Sequence, residues 1–206
     1  MSGKTFHGSD SRFPESGPNF LALAEGPQNG ETNWMAIRGI GYLKFEPAVP
    51  LLELSLNSKS SLIRANAARA LGEIDDPSAI DPLITALSKE EDDGVIEQTA
   101  LAFQMLHAPK AIPIIKTKIG TPSPQTRIWI LGAVEFLGGR PELPFIADSL
   151  SDPAISVRNF AGLSVQRLSG KDFGFPKCGS GPCGWGEDAI AHAQRWWADH
   201  KQDWDK

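Results

Sequence analysis

The segment Pro77-Ser78-Ala79-Ile80-Asp81-Pro82 decides the fold, because a similar proline-led segment occurs three more times in the chain. The first prolines of the four segments are separated by 30, 32 and 32 residues. A leading proline is typical of the first turn of a helix, where its missing N–H group would have no intrahelical partner. Each segment therefore predicts a helix start, and the spacing leaves room for two helices per unit. The four segments are Pro47–Pro50, Pro77–Pro82, Pro109–Pro113 and Pro141–Pro144.

Each segment is followed by an apolar helix, a polar turn and a second helix. The second helices carry the clearest signal, an apolar stripe at the spacing of a 3.6-residue helix. Small residues near their centres would let neighbouring helices approach closely. No stretch alternates with period two for long enough to predict a sheet. The stripes consist of Ile63, Ala67, Ala70, Leu71 and Ile74; Ile96, Ala100, Phe103 and Leu106; Ile128, Leu131, Val134 and Leu137; and Val157, Phe160, Ala161, Val165 and Leu168.

The repeats predict an all-α fold, an α-solenoid (α-α superhelix) of about five helix pairs. Terminal units must cover the last apolar face, so irregular ends are expected. In the first helix pair, near residues 19–46, Asn33 is predicted to cap the second helix. The last helix is predicted from about Glu187 to about Trp204 as a Trp-rich cap. The predicted divisions are a flexible segment, 1–18; repeats near 19–46, 47–76, 77–108, 109–140 and 141–170; and a Gly-rich loop with the capping helix, 171–206.

The stretch Ala65–Ile74 followed by Asp76–Leu83 resembles the HEAT repeat, and the short period resembles the subclass named after phycobilisome (PBS) lyases. Asp152–Arg158 is similar to the family's turn into the second helix. Leu168–Phe175, with Arg195-Trp196-Trp197, resembles a C-terminal extension of some bacterial HEAT proteins. The resemblance covers roughly residues 33–206. It implies an armadillo-type solenoid but no single activity, because the family serves many functions.

Composition excludes several classes of protein. The net charge is −5 and the sequence pI is about 5.4, so binding to a phosphate backbone by counterion release is disfavoured. No run of 18 apolar residues is present to span a membrane, and Met1–Pro18 lacks the apolar region of a signal peptide. Two cysteines do not make a disulfide framework, which favours a cytoplasmic location.

The candidate partner-binding residues are three aligned arginines and a C-terminal aromatic cluster. The arginines stand at the start of the second helices, where they either hydrogen-bond turn carboxylates and carbonyls of the adjacent repeat or form an exposed ladder for acidic ligands. Glu97 takes this position in the repeat near 77–108 and interrupts the ladder. The cluster is either a cap or a binding patch, since Trp and Arg are enriched in hot spots. The six residues are Arg64, Arg127, Arg158, Trp185, Arg195 and Trp196.

Three other motifs are interpreted as structural. Gly179–Gly184 matches G-x-G-x-x-G but lacks the preceding strand that dinucleotide binding requires. Cys178 and Cys183 are interpreted as free thiols, with a disulfide or a metal site as alternatives. The acidic run Lys89–Asp93 is interpreted as a solvated turn, with recognition of a basic partner or weak calcium attraction as the alternatives. No metal, cofactor or catalytic constellation is predicted.

These observations predict a non-enzymatic, monomeric scaffold that binds a protein or peptide through the concave surface of the solenoid. The family resemblance implies two alternatives. The first is an accessory subunit of a bilin or phycobiliprotein lyase system. The second is a HEAT-type DNA-binding repair protein, which the acidic composition disfavours.

Overall fold

The computed structural model describes residues 16–25, 30–175 and 186–204, and within these ranges the regular structure consists of helices without β-strands. The predicted all-α fold is confirmed. None of these helices is both long enough and apolar enough to cross a membrane. The α-helices are α1 (Ser16–Glu25), α2 (Gly30–Tyr42), α3 (Val49–Ser55), α4 (Ser61–Ile74), α5 (Ile80–Lys89), α6 (Asp93–Met105), α7 (Ile112–Lys116), α8 (Pro124–Gly138), α9 (Leu143–Asp148), α10 (Ile155–Ser169) and α11 (Glu187–His200).

The leading prolines lie just before the α-helices, and not in their first turns as predicted. Each belongs to a short 3₁₀ turn that precedes the α-helix, and the second proline of each segment lies in the first turn of that helix. Both positions tolerate proline because their N–H groups have no helical acceptor. The 3₁₀ turns span Glu46–Ala48, Pro77–Ala79, Pro109–Ala111 and Arg140–Glu142.

Every second helix is followed at once, or within two residues, by a residue with positive φ. The φ angles lie between 46° and 73°, and the spacings along the chain are 31, 32, 32 and 31 residues. A positive φ at a helix end is most favourable for glycine, which has no Cβ atom. The first three positions nevertheless hold side chains. The five residues are Lys44, Asp75, His107, Gly139 and Gly170.

The chain divides into two compact units, and the first comprises residues 1–114. Its second helices form a row in which α4 packs against α2 on one side and α6 on the other. The first helices α1, α3 and α5 each pack on the second helix of their own pair. The row is tight because a Cβ atom built on Gly41 would lie 2.8 Å from the Ala70 Cα, and one on Gly72 would lie 2.7 Å from the Ala102 Cα. Small residues therefore set the helix spacing.

The second unit comprises residues 115–206 and is organised around α10. This helix packs against α8, α9 and the C-terminal helix α11. The segment between α10 and α11 contributes Phe175, whose ring lies over Gly162 at a place where a Cβ atom would clash with it. The fully buried side chains of the unit include Ile130, Leu131, Leu143, Ile146, Val157 and Val165.

The predicted capping role of Asn33 is wrong. The helix α2 begins three residues earlier, at Gly30, so Asn33 lies inside it. Its side chain is 2% exposed, and Nδ2 donates a hydrogen bond to the carbonyl oxygen of Ala24 at 3.4 Å. Asn33 thus connects α2 to the end of α1, a contact between helices that local sequence cannot display. The last helix was also predicted slightly too long, because Lys201–Asp203 is a 3₁₀ turn.

Candidate functional site: arginine forks and the row of second helices

Within the first unit, Arg64 connects the turn before α4 to the turn between α5 and α6. Its Nη1 donates hydrogen bonds to the carbonyl oxygens of Ser58 and Lys59, at 2.9 and 3.3 Å. Its Nε and Nη2 form a two-pronged fork that grips the Glu90 carboxylate, at 2.7 and 2.9 Å. Such bidentate pairs fix geometry as well as charge. Arg64 is therefore engaged within the chain.

Arg127 repeats this arrangement in the second unit. Its Nη1 donates to the carbonyl oxygens of Thr121 and Pro122, at 2.8 and 3.0 Å. Its Nε and Nη2 grip the Asp152 carboxylate, both at 2.8 Å. The two side chains are each 10% exposed, so water screens this pair little.

Arg158 makes only half of the same arrangement. Its Nη1 donates to the carbonyl oxygens of Asp152 and Pro153, at 2.7 and 3.1 Å. Within residues 16–25, 30–175 and 186–204, no carboxylate pairs with its Nε or Nη2. The residue as a whole is partly exposed to solvent. Of the three predicted arginines, it alone presents an open fork in the part of the chain described.

Glu90 was missed when the acidic run was interpreted as a solvated turn. It is 8% exposed, and its Oε1 also accepts the backbone N–H groups of Glu91 and Asp92. Burial by itself would raise the pKa of Glu90, but the hydrogen bonds from Arg64 and the two N–H groups outweigh burial and lower this pKa. Hydrogen bonding to Glu90 likewise raises the pKa of Arg64. The remaining acidic side chains of the run, Asp92 among them, are exposed or partly exposed.

A second network that sequence reasoning did not identify joins α8 to α10. Arg167 grips the Glu135 carboxylate through Nε and Nη2, at 2.8 and 2.7 Å, and Ser164 Oγ donates to it at 2.6 Å. Burial opposes ionisation of Glu135, but the hydrogen bonds from Arg167 and Ser164 lower its pKa. The partners lie 29 and 32 residues apart, one repeat period, which is the signal that could have indicated them.

The row of second helices in the first unit leaves large apolar side chains in solvent. Met35 and Tyr42, seven residues apart on α2, are 53% and 85% exposed, and Leu62 on α4 is 49% exposed. On α4 the partly exposed ion pair of Arg69 and Glu73, at 2.7 Å, lies further along the helix. We call Met35, Tyr42 and Leu62, with the helix faces that carry them, the second-helix face.

The C-terminal aromatic cluster packs on its own unit. The Trp196 ring lies 5.6 Å from that of Phe173 and stacks on that of His200 at 4.9 Å, measured between centroids. Arg195 points into solvent, and Trp204 lies 5.0 Å from the Arg140 guanidinium. These contacts are those of a cap, while the exposed Arg195 keeps the binding-patch interpretation open. Trp185, Cys178, Cys183 and the motif at 179–184 lie outside the described residues.

The family model for HEAT repeats matches residues 17–104. Over these residues the chain is therefore similar to HEAT repeats. No curated protein matches the sequence significantly.

Two solved structures have a similar fold over most of this chain. One is the complex of CpcE and CpcF of phycocyanin lyase from Nostoc sp. PCC7120, with a TM-score of 0.65 and 22% identity, covering 83% of this chain and 71% of that chain. The other is the Escherichia coli protein YibA, with a TM-score of 0.59 and 14% identity, covering 98% of this chain and 82% of that chain. At these identities the likenesses show the fold alone. The fold is the α-solenoid that the HEAT resemblance implied.

Proposed function

We propose that this chain is a non-enzymatic HEAT-repeat scaffold that binds a protein or peptide partner through the second-helix face. The observation that carries the proposal is the exposure of Met35, Tyr42 and Leu62 on neighbouring, tightly packed helices. A large aromatic side chain that is mostly in water has no role in the core, and such residues are enriched at protein interfaces.

The rigid helices behind this face support the same function. Because the Gly41–Ala70 and Gly72–Ala102 approaches leave no space between helices, the exposed side chains are held on a firm base. A partner would therefore bind without first ordering the surface, which lowers the entropic cost of association. The proposal includes a monomeric state and a cytoplasmic location.

The test is affinity capture by the purified, tagged chain from an extract of its own cells. A Tyr42→Ser, Leu62→Ser double variant removes two of the exposed apolar side chains and should lose the captured partner. Leu54→Ser is the matched control, because Leu54 is 73% exposed but lies on α3, a first helix. A partner retained by the double variant, or lost equally in the control, would contradict the assignment of this face.

A second candidate is an accessory role in attaching bilin chromophores. It is favoured by the likeness to the complex of CpcE and CpcF of phycocyanin lyase, in which a similar fold forms part of a two-chain assembly. On this hypothesis the chain binds a bilin or a phycobiliprotein subunit. Titration with free bilin should then shift the absorbance spectrum of the pigment, and an unchanged spectrum, with no capture of a phycobiliprotein subunit, would exclude the role.

A further inference from the structure

The three arginines of the second helices share one backbone frame. In each case Nη1 donates to the carbonyl oxygens of the residues six and five positions earlier, which orients the guanidinium plane in the same way. In Arg64 and Arg127 the outer edge, Nε and Nη2, then takes a carboxylate 26 and 25 residues further along the chain. The frame is thus a carboxylate receptor that the chain itself builds twice.

At Arg158 the same receptor is present, but no carboxylate from the described part of the chain occupies it. The corresponding positions, 25 and 26 residues further on, are Cys183 and Gly184, and the sequence from Pro176 to Trp185 contains no aspartate or glutamate. Among the described residues, none supplies a carboxylate to Arg158 either.

The repeat near 77–108 provides a comparison. The residue at the arginine position there is Glu97, and the positions 25 and 26 residues further on hold Pro122 and Ser123. In that repeat neither the arginine nor the carboxylate is present. Arg158 therefore departs from this pattern, since the arginine is present although no residue of the described ranges supplies its carboxylate.

We infer that the outer edge of Arg158 binds an aspartate or glutamate carboxylate in an acidic turn of a partner protein. The pair would have the geometry of the Arg64 and Arg127 forks but would form between two molecules. This inference deepens the proposed scaffold function and rests on it. A guanidinium group has a fixed fork that matches a carboxylate, and it stays charged at any physiological pH.

The occupied forks specify which kind of acidic segment fits. The Asp152 carboxylate also accepts the backbone N–H of Ala154 at 2.8 Å, and Glu90 accepts the N–H groups of the two residues that follow it. Each carboxylate is thus held in a turn before it meets the arginine. A turn of this type, not an extended acidic tail, is the expected occupant.

The experiment uses the full chain and a probe copied from its own occupied fork. The probe is a synthetic peptide with the sequence of residues 149–156, which contains Asp152, and the control peptide carries Asp152→Asn. Binding is followed by NMR on the Nε–H signals of the arginine side chains. Arg64 and Arg127 serve as internal controls, because their forks are already occupied.

The aspartate peptide should shift the Arg158 signal in a saturable manner and leave the Arg64 and Arg127 signals unchanged. The control peptide should bind about tenfold more weakly or not at all, because a neutral amide loses the charged pair of hydrogen bonds. Arg158→Lys keeps the charge but not the fork, and should weaken binding of the peptide by a similar factor when the affinity is measured by isothermal titration calorimetry.

An Arg158 signal that does not move, or that moves equally with both peptides, would overturn the inference. Equal shifts at Arg64 and Arg127 would also overturn it, because they would reveal only a general charge effect. The outcome is distinguishable from failure of the scaffold function, since capture through Tyr42 and Leu62 is measured separately.

Discussion

Gly72→Ala adds one methyl group at the place where α4 crosses α6. The new Cβ would lie 2.7 Å from the Ala102 Cα and 2.9 Å from the Ala102 Cβ, whereas carbon atoms in contact prefer about 3.5–4.0 Å. The backbone atom cannot rotate away, so the two helices must separate. Overpacking of this kind costs about 1–3 kcal/mol. Alanine recovers up to about 1 kcal/mol of helix propensity relative to glycine.

Because the clash is with a backbone atom, the upper part of that range, about 2–3 kcal/mol, applies, and subtracting about 1 kcal/mol of helix propensity leaves an expected loss of about 1–2 kcal/mol in the free energy of unfolding. For a chain of this size such a loss corresponds to a fall of about 2–8 °C in Tm. Gly132→Ala is the matched control, because Gly132 lies inside α8 and the nearest atom to its added Cβ is the Phe160 Cζ at 3.5 Å. There the same substitution should stabilise by up to about 1 kcal/mol.

Urea denaturation followed by circular dichroism measures both variants, and hydrogen exchange locates the change. Exchange should increase in α4 and α6 for Gly72→Ala and should not increase in α8 for Gly132→Ala. A Gly72→Ala chain as stable as the wild type, or more stable, would refute the argument that glycine sets the spacing of the second helices.

Three further predictions concern the forks and the repeat ends. Asp152→Asn removes the charge that the buried Arg127 binds and should lower the free energy of unfolding, measured by urea denaturation, by about 3 kcal/mol. Asp81→Asn is the control, because the Asp81 side chain is 71% exposed in its ion pair, and it should lower this free energy by less than about 1 kcal/mol. Equal losses would contradict the argument from burial. Because the pKa of Glu90 is lowered in the folded state, the stability it contributes is complete well above 4.5, the ordinary pKa of a glutamate, and is lost as the pH falls from there through the folded pKa. The difference in unfolding free energy between the wild type and Glu90→Gln should therefore be largest at neutral pH and shrink below pH 4.5, and a difference that grows on acidification would show the opposite sign. Lys44→Gly should raise Tm because glycine adopts the observed φ of 50° without strain, and a lower Tm would show that the lysine side chain stabilises the turn.

Much of the fold could be predicted because the sequence repeats it. The proline-led segments and the apolar stripes recur at nearly constant spacing, so each unit supports the interpretation of the next. The bounds of α4 and α10 follow from such stripes. The predictions that failed concern single residues whose role depends on a neighbour in space. Asn33 has the side chain of a helix cap, but its amide binds Ala24 across a helix pair.

The forks show the same limit more clearly. The aligned arginines were recognisable, and hydrogen bonds to turn carboxylates and carbonyls were one of the two expected roles. Glu90 lies in a run of four acidic residues, and nothing in the run itself distinguishes it from its solvated neighbours. It is the distance of 26 residues to Arg64, close to one repeat, that selects it. Sequence alone also could not show that Arg158 lacks such a partner among the described residues.

The central claim is that successive second helices of the first unit stack directly on one another through glycine and alanine. The most direct test is a ¹³C-edited NOESY spectrum of the full chain. The account predicts strong cross-peaks between the Hα protons of Gly41 and the protons of Ala70, and between those of Gly72 and Ala102. Absence of both sets, with the helices still present by chemical shift, would contradict it.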